Sequence, residues 1–266
     1  MKIWSVSNQK GGVGKTTTVV TLGSLLANWG FRILLVDLDP HGSLTSYFKM
    51  NPDEIDTSVY NLFQVAGAHK NFDPTPYIVD TEFRGLSVLP AATAIATLDR
   101  QGSKFEGMGL VISRALTTVS SKYDYVLIDS PPMLGVLMIN ALVACDHLLV
   151  PVLTEFLALK GLERMQATLE MINNSQKKIP GYTIVPTMFD RRTNASKHSL
   201  LMLRKHYAKH LWKSAIPVDT KLRDASQLGM PAPSYAPTTH SVLAYDSLLQ
   251  TLLRMESATG RSSSVP

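Results

Sequence analysis

A chain of 266 residues, 45% apolar and 18% charged, can bury a sizeable core and has neither a disordered nor a fibrous composition. The single cysteine, Cys145, excludes a disulfide framework, a CxxC zinc site and a cysteine-held iron–sulfur cluster within one chain, and the longest apolar stretch, Leu134 to Leu153, is broken by Asn140, Asp146 and His147, so it does not read as a bilayer span. The net charge of +5 is uneven: Thr187 to Ala225 holds nine basic residues against Asp190, Asp219 and Asp224, a net +6, leaving −1 for the remainder. That segment can attract a polyanion, nucleic acid first, although a solvated helix face is the plainer alternative.

In chain order, Ile3 to Val6 reads as a strand. A glycine-rich loop follows, then a helix over Lys15 to Asn28 closed by Gly30, then a β-branched run from Ile33 to Val36 ending in Asp37. Strand, helix and strand in so short a span make a βαβ unit with a parallel sheet. Asn51 to Phe83 carries three prolines and reads as an insertion over the active face. Strands follow at Leu86 to Leu89, Tyr125 to Ile128, Leu148 to Val152 and Tyr182 to Val185. Helices are expected over Leu134 to Val143, Leu157 to Asn173, Ser196 to Lys209 and Ser241 to Met255. No internal repeat is visible. The expectation is one α/β domain over residues 1–256, a doubly wound and mostly parallel twisted sheet with helices on both faces, and a polar flexible tail over 257–266. The polar loop so near Met1 leaves no room for a secretory signal, so a cytoplasmic protein is expected.

Three motifs carry chemistry. Lys10-Gly11-Gly12-Val13-Gly14-Lys15-Thr16-Thr17 lies between the first strand and the first helix. Glycines let backbone N–H groups turn inward around phosphates, a lysine brings charge to the β/γ-phosphates, and a hydroxyl binds Mg²⁺. The usual pattern GxxxxGK[ST] wants glycine at position 9, where Gln9 stands, and a second lysine, Lys10, precedes Gly11. Asp37-Leu38-Asp39-Pro40 follows the second strand; its carboxylates belong at the same sheet edge, where an acid holds Mg²⁺-bound water or orients an attacking water. Taken alone, Asp-Pro is equally a plain turn. Tyr125 to Ile128 followed by Asp129 has the form of a Walker B strand, whose carboxylate holds Mg²⁺ through water. No Asn-Lys-x-Asp guanine-reading motif, HExxH or acid–His–Ser arrangement occurs, so ATP is the nucleotide by elimination.

On KGGVGKTT, DLDP and YVLIDSPP the chain resembles the ParA/MinD family of deviant-Walker ATPases, and further stretches resemble its ParA branch: Pro151 to Phe156 with Gly161-Leu162, Thr187 to Arg192, and Ile216-Pro217 with Leu222 to Ala225. The resemblance covers roughly residues 1–256 and implies ATP and Mg²⁺ as ligands. It implies that Lys10 reaches the partner's phosphates across an ATP-bound homodimer. Lys15 then holds the β/γ-phosphates, with Lys10, Lys15 and Asp39 as the catalytic set. Gly11, Gly12, Val13, Gly14, Thr17 and Met188 would line the nucleotide, with Thr16, Asp39 and Asp129 toward the metal. Slow hydrolysis ends the dimer state and acts as a timer, stimulated by a partner protein.

Neither a basic amphipathic membrane helix nor cluster cysteines are present, so the resemblance points away from the MinD and nitrogenase-reductase branches and from direct membrane insertion. A phosphate loop at residue 10 also leaves no room for an operator-reading domain before it. His41 with Ser43, and Val218-Asp219, depart from common chromosomal ParA sequences, and these variants, with Ser43 to Phe48 and Leu134 to Met138, are similar to the ParC-type members that position chemotaxis arrays at the cell pole. The expected role is therefore ATP-switched positioning of such arrays with a cargo or polar-anchor protein, nucleoid-associated or polar. Chromosome or plasmid partition with a centromere-binding partner is the alternative, and a metabolic P-loop ligase or kinase a distant third. In ParA relatives the basic C-terminal face binds DNA without sequence preference, which makes Arg191, Arg192, Lys197, Lys221 and Arg223 the DNA candidates.

Overall fold

The computed structural model describes residues 1–69, 72–101, 107–156, 158–174 and 181–261. The chain opens with β1 (Lys2–Val6), α1 (Lys15–Asn28), β2 (Ile33–Asp37), α2 (Ser43–Tyr47), α3 (Val59–His69), β3 (Val79–Asp80) and β4 (Leu86–Leu89). It continues through α4 (Ala96–Gln101), α5 (Val111–Thr118), β5 (Tyr125–Asp129), α6 (Val136–Ala144), β6 (His147–Leu153) and α7 (Ala158–Asn174). It closes with β7 (Gly181–Thr187), α8 (Asn194–His206), α9 (Thr220–Leu228), α10 (Ala232–Tyr235) and α11 (His240–Arg261).

The strands form one sheet in the order β3-β4-β2-β5-β1-β6-β7, parallel throughout except for the short β3 at the edge. Alternation along each strand divides the core between the two faces. Trp4 and Val6 of β1 join Tyr125 and Leu127 of β5 beneath α1 and α11. Val126 and Ile128 of β5 join Leu34 and Val36 of β2 beneath α3, α5 and α6. A third cluster packs α7 on β6 and β7, with Leu162, Met165 and Leu169 facing Val150, Val152 and Ile184. The doubly wound sheet expected from the sequence is the fold observed.

Two expectations are corrected. Residues 51–83 do not lie mainly over the active face: Val59, Leu62 and Phe63 recur at helical spacing, so α3 forms and buries them against one sheet face, while β3 guards the sheet edge. The final helix does not stop at Met255 but runs to Arg261, into the stretch read as a tail. The expected helix start at Leu157 and the last part of that tail, 262–266, lie outside the described residues.

Topology positions the site. The chain leaves β1 toward β2 on one side and later adds β6 on the other, so the C-terminal end of β1 is a switch point, where open parallel sheets bind ligands. The register pairs Val6 with Asp129 and Asp37 with Asp129, which brings the ends of β1, β2 and β5 to one level.

Candidate functional site

The loop from Ser7 to Gly14 connects β1 to α1 and is pinned from both sides. Asn8, almost fully buried, donates through Nδ2 to the Pro151 carbonyl at 2.7 Å and accepts through Oδ1 from the Lys10 amide at 3.0 Å. Gln9 donates through Nε2 to Thr168 Oγ1 on α7 at 2.6 Å, so the residue that breaks the usual pattern acts as a strut. Gly12 and Gly14 take φ of +71° and +89°, and a Cβ at Gly11, Gly12 or Gly14 would meet nothing within 4 Å. Glycine here serves the backbone and leaves an open cradle. Above the cradle, α1 begins with no side-chain cap and no acid in its first turn, so its N–H groups and the positive end of its dipole are free for an anion.

Lys15 is buried, and among the described residues it has no ionic partner. Thr16 Oγ1 donates to Asp129 Oδ2 at 2.5 Å. Asp129 Oδ1 is buried with no hydrogen-bond partner, the one such side-chain atom among the described residues. Burial, with Asp37 nearby, pushes the Asp129 carboxyl well above the ordinary range. The site therefore wants a cation. Among the described residues no three His, Cys, Asp or Glu side chains close on a common metal position. The donor set suits Mg²⁺ held by one hydroxyl, phosphate oxygens and water, with the carboxylate reached through that water.

The structure separates the two aspartates of the DLDP element. Asp37 is fully occupied: Oδ2 accepts from the Thr45 amide at 2.8 Å and from Thr45 Oγ1 at 2.7 Å, and Oδ1 from the Asp39 amide at 3.1 Å. Burial raises its carboxyl too, and its work is to tie β2 to α2. Asp39 accepts through Oδ1 from the His41 amide and ring, at 3.1 and 2.8 Å.

Lys10 does not enter its own cradle. Its ammonium lies 3.7 Å from Glu155 Oε2, with both side chains partly exposed. Met188, Val218, Asp219, Arg223 and Tyr245 line a cavity of about 420 Å³ together with Gly14 and Thr17. Met188 sits there with φ of +51°, a conformation costly for a non-glycine residue, held by Thr154 Oγ1 donating to its carbonyl at 3.2 Å. A shallower hollow of about 550 Å³ around Trp29 and Leu253 lies at the opposite end of α1.

The DNA candidates are all exposed but unequal. Arg191 and Lys197 have no ionic partner among the described residues, whereas Arg192 is chelated by Asp190 at 2.9 Å and Lys221 meets Asp224 at 3.1 Å. The bridge between Phe189 and Pro217 joins the segments that lead into α8 and α9, the helices on which Lys197 and Lys221 stand. Arg223 also lines the cavity of about 420 Å³. Residues that the motifs missed are Asn8, Thr45, Thr187 and Tyr245: Thr187 Oγ1 donates to the Val13 carbonyl at 2.9 Å, and Tyr245 meets Thr18 Oγ1 at 3.0 Å. Asn8 lies two residues before the phosphate loop and Thr187 opens the stretch Thr187 to Arg192, but neither carries a phosphate-loop signal, and Thr45 and Tyr245 belong to none of the three motifs.

Fold and site define a P-loop nucleotide-binding protein of the deviant-Walker type. Residues 1–180 match the model of an AAA domain family, to which the chain belongs, and its relatives make it a member of the ParA/MinD group of ATPases. The sporulation initiation inhibitor protein Soj of Bacillus subtilis is 35% identical over 247 residues, covering 92% of this chain and 95% of Soj. The chromosome partitioning protein ParA of Caulobacter vibrioides is 33% identical, covering 88% of this chain and 87% of ParA. Among solved structures, cobyrinic acid a,c-diamide synthase from Mycobacterium smegmatis, bound to an ATP analogue and magnesium, matches with a TM-score of 0.83 at 30% identity over 97% of each chain.

Proposed function

We propose that the protein is a partition or positioning ATPase that binds ATP and Mg²⁺, closes into a homodimer through Lys10 and is reset by slow hydrolysis. The observation that carries this is Lys10 itself, a P-loop lysine whose half-buried side chain leaves its own cradle and reaches exposed Glu155. Met133, Leu134 and Phe156, exposed by 73, 44 and 72% on the loops after β5 and β6, add apolar surface at the same sheet edge, as a face that meets a second copy requires. Bound Mg²⁺ neutralises charge on the transferred phosphoryl group. The open cradle and the free α1 N-terminus bind the phosphates, Lys15 adds charge from beneath, Thr16 and Asp129 hold the metal, and Asp39 orients water. Lys10 of one copy completes the positive charge around the other copy's γ-phosphate, so hydrolysis depends on dimerisation.

Chromosome partition is the cargo reading that the Soj and ParA relatives favour. Chemotaxis-array positioning rests on His41, Val218-Asp219 and residues 134–138, and the genes beside this one separate the two. The basic face over α8 and α9 is proposed as a nonspecific DNA surface, doubled in the dimer. Binding to random-sequence duplex, measured across a salt series with ADP, with ATP and with Lys10→Ala, tests the scheme. The expected result is binding with ATP only, loss in Lys10→Ala despite retained ATP binding, and a steep fall with salt. ATP-driven dimers that ignore DNA at low salt would remove the DNA surface. A Lys10→Ala protein that still dimerises and hydrolyses would favour a ligase-type enzyme such as the neighbour's name describes.

A further inference from the structure

We propose that His41 is a positioning residue that aims the Asp39 carboxylate at the attacking water, an inference that rests on the hydrolytic role proposed for Asp39. Asp39 is buried, yet among the described residues its donors converge on one oxygen: the His41 amide at 3.1 Å and the His41 ring Nδ1 at 2.8 Å both meet Oδ1. No donor reaches Oδ2 among the described residues, so that oxygen is left to accept from water. A carboxylate only accepts, so Nδ1 carries the hydrogen. Two donors on Oδ1 fix the carboxylate plane and leave Oδ2 as its free acceptor.

The turn that carries His41 is itself rigid. Gly42 donates to the Asp39 carbonyl at 2.8 Å, and its φ of +59° places its α-carbon where a Cβ would come 2.6 Å from Pro52. The His41 side chain is 79% exposed, so it contributes nothing to the core, and Asp39 is its polar contact. Asp37 cannot stand in, because Thr45 and the Asp39 amide occupy both of its oxygens. In the step served, the water oxygen bonds to the γ-phosphorus while the bond to the bridging oxygen breaks, ADP departs with that electron pair, and the water proton ends on inorganic phosphate. His41 acts by holding Oδ2 where it orients that water.

The test compares His41→Ala, His41→Gln and Asp39→Asn in the full chain. His41→Ala is expected to lower kcat for ATP hydrolysis about tenfold with KM and the ATP-induced dimer unchanged, and His41→Gln, which keeps a side-chain N–H donor, to restore most of the loss. A second readout uses the protein without nucleotide: ¹⁵N spectra of the imidazole should show hydrogen on Nδ1 in the wild type and a changed tautomer balance in Asp39→Asn. A wild-type kcat in His41→Ala, equal losses of binding and rate, no recovery in His41→Gln, or a His41 tautomer indifferent to Asp39→Asn would each overturn the proposal. Asp39→Asn hydrolysing at the wild-type rate would instead remove the hydrolytic reading of Asp39 beneath it.

Discussion

Asp129 shows at the scale of one residue how a site prepared for a cation strains the fold without it. A buried acceptor with no donor costs about 1–3 kcal/mol, and Asp129 Oδ1 is such an atom. Replacing the carboxylate by an amide removes the titrating proton but puts an N–H donor where Oδ1 already lacks a partner. Asp129→Asn is therefore expected to leave the nucleotide-free protein no more stable below the raised carboxyl value, to make it more stable above that value, and to reduce Mg²⁺-dependent ATP binding and hydrolysis. Thermal unfolding with and without Mg²⁺ and ATP reads both effects. The pH dependence follows from the sign of the shift. The folded protein holds protons on Asp37 and Asp129 more tightly than the unfolded chain does, because both carboxyls are raised by burial. Stability of the nucleotide-free form therefore falls as pH rises from the ordinary carboxylate range through the raised values. Asp129→Asn should flatten that fall, and an unchanged slope would mean that the buried pair does not titrate there.

At the scale of the element, α1 shows packing overruling propensity. Gly23 lies in the helix interior, where alanine is worth about 1 kcal/mol more than glycine. A Cβ at Gly23 would come 2.7 Å from Leu35 Cδ2, 3.6 Å from Ile33 Cγ2 and 3.6 Å from Leu86 Cδ1. Leu35 and Ile33 are fully buried and Leu86 nearly so, and they have little room to retreat. Overpacking of this kind costs about 1–3 kcal/mol, so Gly23→Ala is expected to be destabilising on balance despite the gain in propensity. Equilibrium denaturation decides the sign, and a more stable variant would show that β2 yields. Helix propensity alone predicts the opposite result, because the close approach of α1 to β2 is not written in the helix's own sequence. The ends of α1, by contrast, were legible: Lys15 as its start and Gly30 as its stop are local signals, and Gly30 takes φ of +91° just beyond the helix. In the stretch 51–83 the prolines point to irregular chain, while the spacing of Val59, Leu62 and Phe63 takes its meaning from a sheet face assembled by distant strands.

At the scale of the molecule, the charge asymmetry becomes a surface with unequal members. Arg191 and Lys197 are free of ionic partners among the described residues, while Arg192 gives both ends of its guanidinium to Asp190. A phosphate that takes Arg192 must displace Asp190, whose carboxyl is held down at about 2 by that same arginine. Arg191→Ala and Lys197→Ala are therefore each expected to reduce the salt slope of DNA binding by about one counterion, with ATP hydrolysis unchanged, and Arg192→Ala to reduce it less. A salt titration of the ATP form checks the order, and equal slopes in all three variants would mean that DNA, if bound, lies elsewhere.

By itself the sequence determined the parallel α/β fold, the phosphate loop, the strand-end aspartates and the odd second lysine. These are local facts: glycines at required positive φ, β-branched runs that end in acids, and helical spacing that fixes which face is buried. Only the tertiary structure decided which acid is tied up by hydrogen bonds and which keeps an oxygen free among the described residues. Asp37 and Asp39 are two residues apart and chemically alike, and their difference comes from Thr45 on α2 and His41 in the turn. Likewise Gln9 became a strut because Thr168 of α7 stands beside it, and Lys10 turns away from its own cradle toward Glu155, in the loop after β6. A carboxylate's or an ammonium's role is set by what surrounds it in space, and those neighbours were assembled from parts of the chain that no motif connects.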